Sequence, residues 1–297
     1  MANLSKFDVL AHMGFEKDPF KVTDYSTMDA TRIHRILGIA MDTRAWIAIV
    51  GERGIGKSSS VRESLKRHDA LIVRVHSTDG VLISDIEFAL ILDLSNEAPK
   101  QKKEVRRRQL RRILGEASMK KNIVVVIEGA HRLHNMTIRA IKNLRELEWM
   151  GESGLFSVVL IGQSDPLSYV GLAEVRLRSD TIQMKGMTAD ECIAYIQNTV
   201  GRCFSDDAIA LIAGMSDSNN FLSLQNHLIT LMGKAIAKGK DSVDEKDVRD
   251  HYEIKDKIQK KKDIQAKKTM QVTQTQAKEQ GNEAIRAMFK KTGTDDK

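Results

Sequence analysis

The pattern G-x-x-x-x-G-K-S is the part of the chain whose residue types and spacing most directly predict chemistry. It runs from Gly51 to Ser58, between the apolar run Ala45 to Val50 and a helix-like segment. Glycines let the backbone curl so that its N–H groups point at phosphate oxygens, and the following helix adds its positive end. We expect Lys57 to reach the β- and γ-phosphates of ATP and the Ser58 hydroxyl to ligate Mg²⁺. The predicted nucleotide-binding residues are Gly51, Glu52, Arg53, Gly54, Ile55, Gly56, Lys57, Ser58 and Ser59.

An acidic element follows the apolar run Ile123 to Ile127, where a P-loop ATPase needs an acid to hold Mg²⁺. The usual pattern places Asp first and a water-activating Glu second, but here Glu128 stands first and Gly129 second. Glu128 therefore either serves Mg²⁺ or bends toward the attacking water and leaves the metal to Ser58 and solvent. Because glycine cannot polarise water, we predict normal ATP binding and slow hydrolysis. His131 is a further candidate for positioning water, although a structural role at a helix start is the simpler interpretation.

Two further groups are candidates for acting on the γ-phosphate. Gln163 or Ser164, after the predicted strand Phe156 to Ile161, is a candidate because ligands of open α/β sheets bind at the carboxyl ends of strands. The alternative for this segment is a turn built by residues 164–166. Arg176 and Arg178 precede a short edge strand, and one of them is a candidate arginine finger for a neighbouring subunit's nucleotide, the alternative being a surface ion pair. The predicted catalytic residues are Lys57, Glu128, Gln163 and Arg178, and the predicted metal ligands are Ser58 and Glu128.

The elements that must position these residues alternate between strands and helices. Strands are predicted at 45–50, 70–76, 123–127, 156–161 and 181–184, with helices at 57–68, 85–94, 105–117 and 136–150. This alternation predicts an α/β fold, a P-loop NTPase with a parallel sheet flanked by helices. After Thr188 only helical periodicity remains, with capping patterns at Thr188/Glu191 and Ser242/Glu245. The predicted division is a lead-in at 1–43, an ATPase domain at 44–186, an all-helical lid at 187–254 and a polar basic tail at 255–297.

The net charge of +7 is concentrated in two segments of an otherwise acidic chain. Residues 100–112 contain eight basic and one acidic residue, and residues 255–297 contain twelve basic and six acidic residues. This asymmetry favours double-stranded DNA as a partner, bound through its phosphates without sequence readout. The alternative is simple solvation of a helix face and a tail. Val105 is expected on the apolar face of its helix, with Arg106 among the solvent-facing arginines. The predicted DNA-binding residues are Lys103, Arg107, Arg108, Arg111 and Arg112.

Composition limits the class of protein further. The 297 residues are 41% hydrophobic, enough for a substantial core, and no stretch approaches the ~20 apolar residues of a membrane span. The first residues lack the apolar core of a signal peptide. Cys192 and Cys203 match no metal or redox spacing. We therefore expect a cytoplasmic protein with two buried free thiols and no membrane partner.

With these motifs together, the chain resembles the AAA+ ATPases of the ExeA, MuB and TnsC group over roughly residues 7–254. The segment 13–20 is similar to the F-G-x-x-x-x-P-F opening of ExeA-like members, and Arg178 falls where the group has an arginine before its helical domain. Two departures stand out. Gly129 replaces the catalytic acid, and Phe221 stands where the S-G-G-x-P-R element supplies a sensor arginine. Both losses remove groups that act on the γ-phosphate, which favours an ATP-gated assembly switch over a power-stroke machine.

The resemblance to the MuB and TnsC branch implies ATP-dependent self-assembly on DNA as a ring or filament. Such a homo-oligomer recruits a transposase or integrase and helps to choose the insertion target. One alternative is a replication initiator or loader, which normally adds a winged-helix module. Another is an ExeA-like secretion ATPase, which usually carries a membrane span and a peptidoglycan-binding region. A third is a signalling scaffold that uses ATP only as a structural ligand.

Overall fold

The computed structural model describes residues 4–21, 26–77, 81–169 and 171–253. One parallel sheet has the strand order β2-β3-β4-β1-β5. Because every pair is parallel, the carboxyl ends of all five strands lie at one edge of the sheet. The strands are β1 Trp46–Val50, β2 Ala70–His76, β3 Asn122–Glu128, β4 Ser157–Gly162 and β5 Ser179–Gln183.

Ten helices accompany the strands in the described part of the chain. They are α1 Lys6–His12, α2 Met28–Asp42, α3 Lys57–Lys66, α4 Ile83–Leu94, α5 Lys103–Ser118, α6 Asn135–Arg145, α7 Ala173–Arg176, α8 Ala189–Val200, α9 Asp206–Ala213 and α10 Phe221–Ala237. Residues 245–253 are also helical. Helices α2 and α3 cover one face of the sheet, and α4, α5 and α6 pack on the other.

Alternating side chains of the strands supply the two cores of this layered structure. In β3, Val125 and Ile127 face one layer of helices, and Val124 and Val126 face the other. All four side chains are at most 2% exposed, so the strand is apolar at consecutive positions, as expected of a parallel strand covered on both faces. The predicted α/β fold with a parallel sheet flanked by helices is therefore confirmed.

The helices after β5 form a third core, which also includes the beginning of the chain. Val9 and Leu10 of α1 are buried against α10, among side chains such as Leu228 and Met232. Helix α2 instead packs on the sheet. The predicted lead-in is thus shared between two cores, while the division at 43, 186 and 254 stays a prediction. The predicted tail at 255–297 lies outside the described residues.

Two local predictions are corrected by the backbone. The helix predicted at 136–150 ends at Arg145, because Met150 and Gly151 adopt left-handed conformations that close a turn between Trp149 and Glu152. The capping pattern predicted at Ser242/Glu245 is also wrong. Asp244 caps the last helical segment instead, since its carboxylate accepts a hydrogen bond from the Asp247 backbone N–H at 2.9 Å. The pattern Thr188/Glu191 forms a capping box as predicted.

Candidate nucleotide site and basic surface

The loop between β1 and α3 has the backbone of an anion-binding cradle. Gly54 and Gly56 adopt positive φ angles of 89° and 95°, and Gly56 is the N-cap of α3. No side chain caps this helix, so the N–H groups of its first turn are free to bind an anion beside the positive end of the helix dipole. This arrangement suits the phosphates of a nucleotide, and Ser58 and Ser59 stand in the first turn.

The carbonyl groups of the same loop are held from two directions. The Lys57 ammonium donates to the carbonyl oxygens of Gly51 and Glu52 at 2.7 and 2.6 Å. The side-chain amide of Asn220, at the start of α10, donates to the carbonyl of Arg53 at 2.9 Å. Burial lowers the pKa of Lys57, an effect that the nearby Glu52 carboxylate opposes. Side-chain hydrogen bonds from Lys57 and Asn220 therefore hold the carbonyl groups of this loop in place.

The two predicted metal ligands are brought together, although they are 70 residues apart. The Ser58 hydroxyl donates to the Glu128 carboxylate at 3.0 Å. Oxygen ligands on adjacent corners of an octahedron with Mg–O bonds of about 2.1 Å lie about 3.0 Å apart. These two oxygens therefore fit neighbouring positions around Mg²⁺, which would neutralise charge on the nucleotide phosphates. His76 lies 4.0 Å from the same carboxylate and is largely exposed.

Gly129 stands where the water-activating acid is expected, and its backbone explains the glycine. Its φ angle is 73°, which disfavours any residue with a Cβ atom. A Cβ added there would lie 3.0 Å from the carbonyl oxygen of Ser77. The turn after β3 thus has no room for a side chain without a local rearrangement.

His131 and Gln163 are joined at the edge of the site. The Gln163 backbone N–H donates to Nδ1 of His131 at 3.2 Å. Burial, together with the positive charges of Arg132 and Lys57, lowers the pKa of His131. A neutral imidazole that accepts at Nδ1 carries its proton on Nε2 and can donate from there. His131 is consequently arranged as a hydrogen-bond donor and not as a general base.

A cavity of about 1040 Å³ connects these groups, and its volume suits a whole nucleotide. Lys57, Ser58, Glu128, His131 and Gln163 line one part of it. Aromatic side chains line another part, where Tyr195 and Phe221 pack edge to face with ring centroids 5.2 Å apart. The additional lining residues on this side are Phe20, Thr27 and Leu222. The polar lining matches a triphosphate, and the volume leaves room for the base and the sugar.

Arg178, the fourth predicted catalytic residue, does not join this cavity. It precedes β5, whose first residue Ser179 pairs with Trp46 at the start of β1. The phosphate loop follows the other end of β1, so the five-residue strands separate Arg178 from that loop by about 15 Å. Arg178 lines a second, charged cavity of about 660 Å³ with Arg145.

The predicted basic surface on α5 needs one correction. Arg106, expected to face solvent, is 7% exposed, whereas Val105, expected on the apolar face, is 45% exposed. The Arg106 guanidinium donates from Nε to the buried Glu87 carboxylate at 2.6 Å and from Nη1 to the carbonyls of Lys100 and Gln101. Arg106 is therefore a structural residue that fastens α5 to α4 and to the connecting loop.

The five predicted DNA-binding residues lie along α5, and their side chains differ in exposure and in the contacts they make. Lys103, Arg107 and Arg108 are exposed, and Arg107 lies 3.9 Å from the Glu87 carboxylate. Arg111 is exposed as well, although its Nε donates to the Glu148 carbonyl at 2.6 Å. Arg112 is half-buried and paired with Glu97 and Glu116. These contacts leave Lys103, Arg107 and Arg108 as the least restrained cations of the group.

Sequence reasoning missed Asn220 as a residue of the site and reached Phe221 only through the resemblance. Both belong to the predicted lid and reach a loop more than 160 residues earlier in the chain. An N-cap pattern at Asn220 predicts a helix start, but no local signal indicates what that helix start touches. Cys192 and Cys203 are buried free thiols, as predicted. Within the ranges described, no helix has the length and apolar composition required to cross a membrane.

Comparison with known proteins places the fold. Residues 40–169 match the family model described as an AAA domain. No curated protein matches the chain in sequence. Similar solved structures include Cdc6p from Pyrobaculum aerophilum, which is 14% identical with a TM-score of 0.57. The alignment covers 79% of this chain and 68% of the Cdc6p chain.

Two structures from Aeropyrum pernix are also similar. The ORC1 protein in complex with DNA is 14% identical, with a TM-score of 0.55 over 80% of this chain and 69% of its own. The ORC2 protein in its ADPNP-ADP complexes is 14% identical, with a TM-score of 0.57. The alignment covers 80% of this chain and 71% of the ORC2 chain. At this level of identity the likeness concerns the fold alone. Together with the matched AAA domain, it shows that this chain has the P-loop AAA+ fold.

Proposed function

We propose that this protein binds MgATP and, when it does so, assembles on duplex DNA without reading its sequence. It hydrolyses ATP slowly and acts in transposition, where the assembly selects a target and activates a transposase or integrase. The observation that carries the nucleotide part is the pairing of Ser58 with Glu128 beside an uncapped α3. The transposition part rests on the resemblance to MuB and TnsC.

The phosphate loop supports ATP as the ligand. Lys57 and the free N–H groups of α3 supply the positive environment that a triphosphate needs, and Ser58 and Glu128 supply oxygen ligands for its Mg²⁺. The cavity of about 1040 Å³ also has room for the base and ribose of the nucleotide. These features support nucleotide binding independently of any resemblance.

Slow hydrolysis follows from the groups around the γ-phosphate. Gly129 has no side chain to activate water, and Phe221 lines the cavity at the position where the resemblance expects a sensor arginine. His131 is arranged to donate a hydrogen bond and not to take a proton from water. Such a site holds ATP for long periods, which suits a protein whose bound nucleotide signals assembly.

Self-assembly is supported by the position of Arg178. This side chain lies about 15 Å from its own phosphate loop and is exposed. An arginine in that place acts on a nucleotide only when another copy presents one. ATP would then be bound between copies, so that occupancy of the site and assembly depend on each other.

DNA binding is supported by the exposed cations of α5. Lys103, Arg107 and Arg108 project from one helix that Arg106 fixes rigidly to α4. Contacts of this kind neutralise phosphates and release counterions, which gives affinity without base specificity. The predicted contribution of residues 255–297 lies outside the described part of the chain.

A replication initiator or loader is the second candidate. It is favoured by the structural similarity to Cdc6p and to an ORC1 protein whose structure contains DNA. Both candidates require ATP and duplex DNA, and they differ in the form of the complex. A transposition factor forms a continuous ring or filament, whereas a loader forms a discrete complex at a site.

The test measures duplex DNA binding with ATP, with ADP and without nucleotide across a salt series. The proposal expects ATP-dependent binding that weakens steeply with salt. A plot of log affinity against log salt has a negative slope. Reversing charge at Lys103, Arg107 and Arg108 should reduce the magnitude of that slope by about 3. Electron microscopy of the ATP–DNA sample distinguishes a filament or ring from a discrete complex.

A matched variant controls for net charge. Reversing Lys17, Lys246 and Arg249, which are exposed and neither line the cavity nor lie on α5, changes the net charge equally and should leave the slope unchanged. Equal losses in the two triple variants would refute the assignment of the α5 surface. Equal binding with and without ATP would refute the assembly switch.

A further inference from the structure

Asn220 makes two kinds of hydrogen bond at once, and they join different parts of the molecule. Its Oδ1 accepts from the backbone N–H groups of Leu222 and Ser223 at 3.0 and 3.3 Å, which caps α10. Its Nδ2 donates to the Arg53 carbonyl of the phosphate loop at 2.9 Å. The side chain is 5% exposed, so water competes little for either interaction. One amide therefore links the start of a lid helix to the loop.

Neighbouring contacts make this link stiff. The Leu222 backbone N–H also lies 3.4 Å from the Gly54 carbonyl, and a Cβ added at Gly54 would lie 2.6 Å from Oδ1 of Asn220. The Phe221 ring packs against Gly56, where an added Cβ would lie 3.3 Å from the ring. A peptide reorientation within residues 53–56 cannot occur without displacing the beginning of α10.

We propose that Asn220 transmits the nucleotide state of the phosphate loop to the lid, in place of a charged sensor on that helix. This inference rests on the proposed binding of ATP to the loop. The N–H groups of the loop would face the phosphates of the bound nucleotide, whereas its carbonyls are held by Lys57 and Asn220. A nucleotide that binds to the N–H side of these peptides therefore affects the hydrogen bond that the neutral Asn220 amide makes on their carbonyl side.

The change that Asn220 transmits to the lid is a displacement of helix α10. Helix α10 carries much of the lid core, including Leu224, Leu228 and Leu231, so moving its first turn moves the lid as a unit. The connection from β5 to α8 is held separately, because the Asp29 carboxylate accepts from the backbone N–H groups of Lys185 and Gly186 at 2.7 and 2.9 Å. The lid therefore has a fixed hinge and a second attachment that contacts the nucleotide loop.

Two substitutions of Asn220 keep the cap of α10 and remove the hydrogen bond to the Arg53 carbonyl. Serine and aspartate cap helices about as well as asparagine, but neither can donate from an amide to the Arg53 carbonyl. We expect Asn220→Ser and Asn220→Asp to keep α10 folded and to bind MgATP at saturating concentration. Asn219→Ala is the matched control, because Asn219 also bonds a backbone carbonyl, that of Lys185 at 3.0 Å, outside the phosphate loop.

The readout is a distance between spin labels at Met119→Cys and Thr230→Cys, measured by double electron–electron resonance. Both positions are exposed, and the native Cys192 and Cys203 are buried, so labelling is selective. We expect MgATP to shift this distance in the parent and in Asn219→Ala. Asn220→Ser should lose the shift, and Asn220→Asp repeats the test should the serine variant fail to fold.

The outcomes are separable. A shift in Asn220→Ser equal to that of the parent would overturn the inference, as would a parent that binds MgATP with no change in distance. A parent that fails to bind MgATP at all, measured by titration calorimetry on the same sample, would instead overturn the proposed function. A loss confined to the Asn220 variants supports transmission through the amide.

Discussion

The Ser58 hydroxyl donates a hydrogen bond to the Glu128 carboxylate at 3.0 Å, which joins the first turn of α3 to the carboxyl end of β3. Strands β1 and β3 are not neighbours, because β4 lies between them. The contact therefore depends on the whole parallel sheet and not on a local turn. It defines where a divalent cation would sit relative to the phosphate loop, and it makes the role of Glu128 testable.

Glu128→Gln should weaken the affinity for Mg²⁺ while leaving the fold intact. The amide preserves size but removes the charge, and we expect about 10- to 100-fold more Mg²⁺ to be needed for half-maximal ATP turnover. Ser58→Ala should act in the same direction. His76→Ala, which alters an exposed neighbour 4.0 Å from the carboxylate, is the control. An unchanged Mg²⁺ dependence in Glu128→Gln would remove this residue from the metal site.

Gly129→Glu should fail to restore fast hydrolysis. The left-handed backbone and the Ser77 carbonyl oppose any Cβ atom, so we expect a loss of about 1–2 kcal/mol in the free energy of unfolding. Gly129→Ala should lose about the same, because the cost lies in the backbone. Chemical denaturation and ATP turnover check both variants. Strong acceleration in Gly129→Glu with unchanged stability would show that the turn after β3 accommodates a side chain.

Arg106 and Arg108 should respond differently to alanine, although they are two residues apart. Arg106→Ala leaves the buried Glu87 carboxylate without its partner, and we expect a loss of about 3–5 kcal/mol in stability. Arg108→Ala should change stability by less than about 0.5 kcal/mol and weaken DNA binding. The double variant Glu87→Leu/Arg106→Leu should recover much of the loss, because no charge is left buried. Equal stability of the two single variants would show that the Glu87–Arg106 pair is not structural.

The lid should lose stability in acid through Asp247. Burial alone would raise the pKa of this carboxyl, but hydrogen bonds from the Lys238 and Lys240 ammonium groups lower it to about 2. Because the folded pKa lies below the ordinary value of about 3.9, the stabilisation is complete above about pH 4 and is lost as the pH falls toward 2. Asp247→Asn should therefore cost on the order of 1–2 kcal/mol at pH 7 and almost nothing at pH 2.

Asp250→Asn is the control for this pH effect. Asp250 lies 3.8 Å from Lys238, but its side chain is 51% exposed, so its removal should change stability little at either pH. Thermal unfolding followed by circular dichroism at a series of pH values compares the variants. Parallel pH profiles for the parent and Asp247→Asn would exclude the ion pair as the source.

The sheet and the phosphate loop could be predicted from the sequence because their signals are local. A short apolar run, a glycine spacing and a helix start occupy consecutive residues, as at Val50 to Ser58. The role of Arg106 could not be predicted in this way. The helical period puts Arg106 on the face of Leu110, Ile113 and Ala117, but its charge favoured a solvent position, and the partner that allows its burial, Glu87, lies on another helix.

The contacts of the lid show the same limit more strongly. Asn220 looks like an ordinary helix cap in the sequence, and its bond to Arg53 spans 167 positions. His131 looks like a residue of a helix start, and only its bond with Gln163 shows how its ring nitrogens are used. Such contacts depend on the completed fold, and no motif links their partners in the way that Ser58 and Glu128 are linked.

The parallel pairing of β5 with β1 gives the molecule a polarity. Arg178 and the phosphate loop stand at opposite ends of the paired strands, so a contact that joins them between two copies connects unlike parts of the surface. A two-fold pair would satisfy both contacts within one closed dimer, whereas an open head-to-tail chain of copies ends with one arginine and one phosphate loop that have no partner copy. A copy altered only at Arg178 would therefore stop growth at one end of such a chain and leave the other end able to extend.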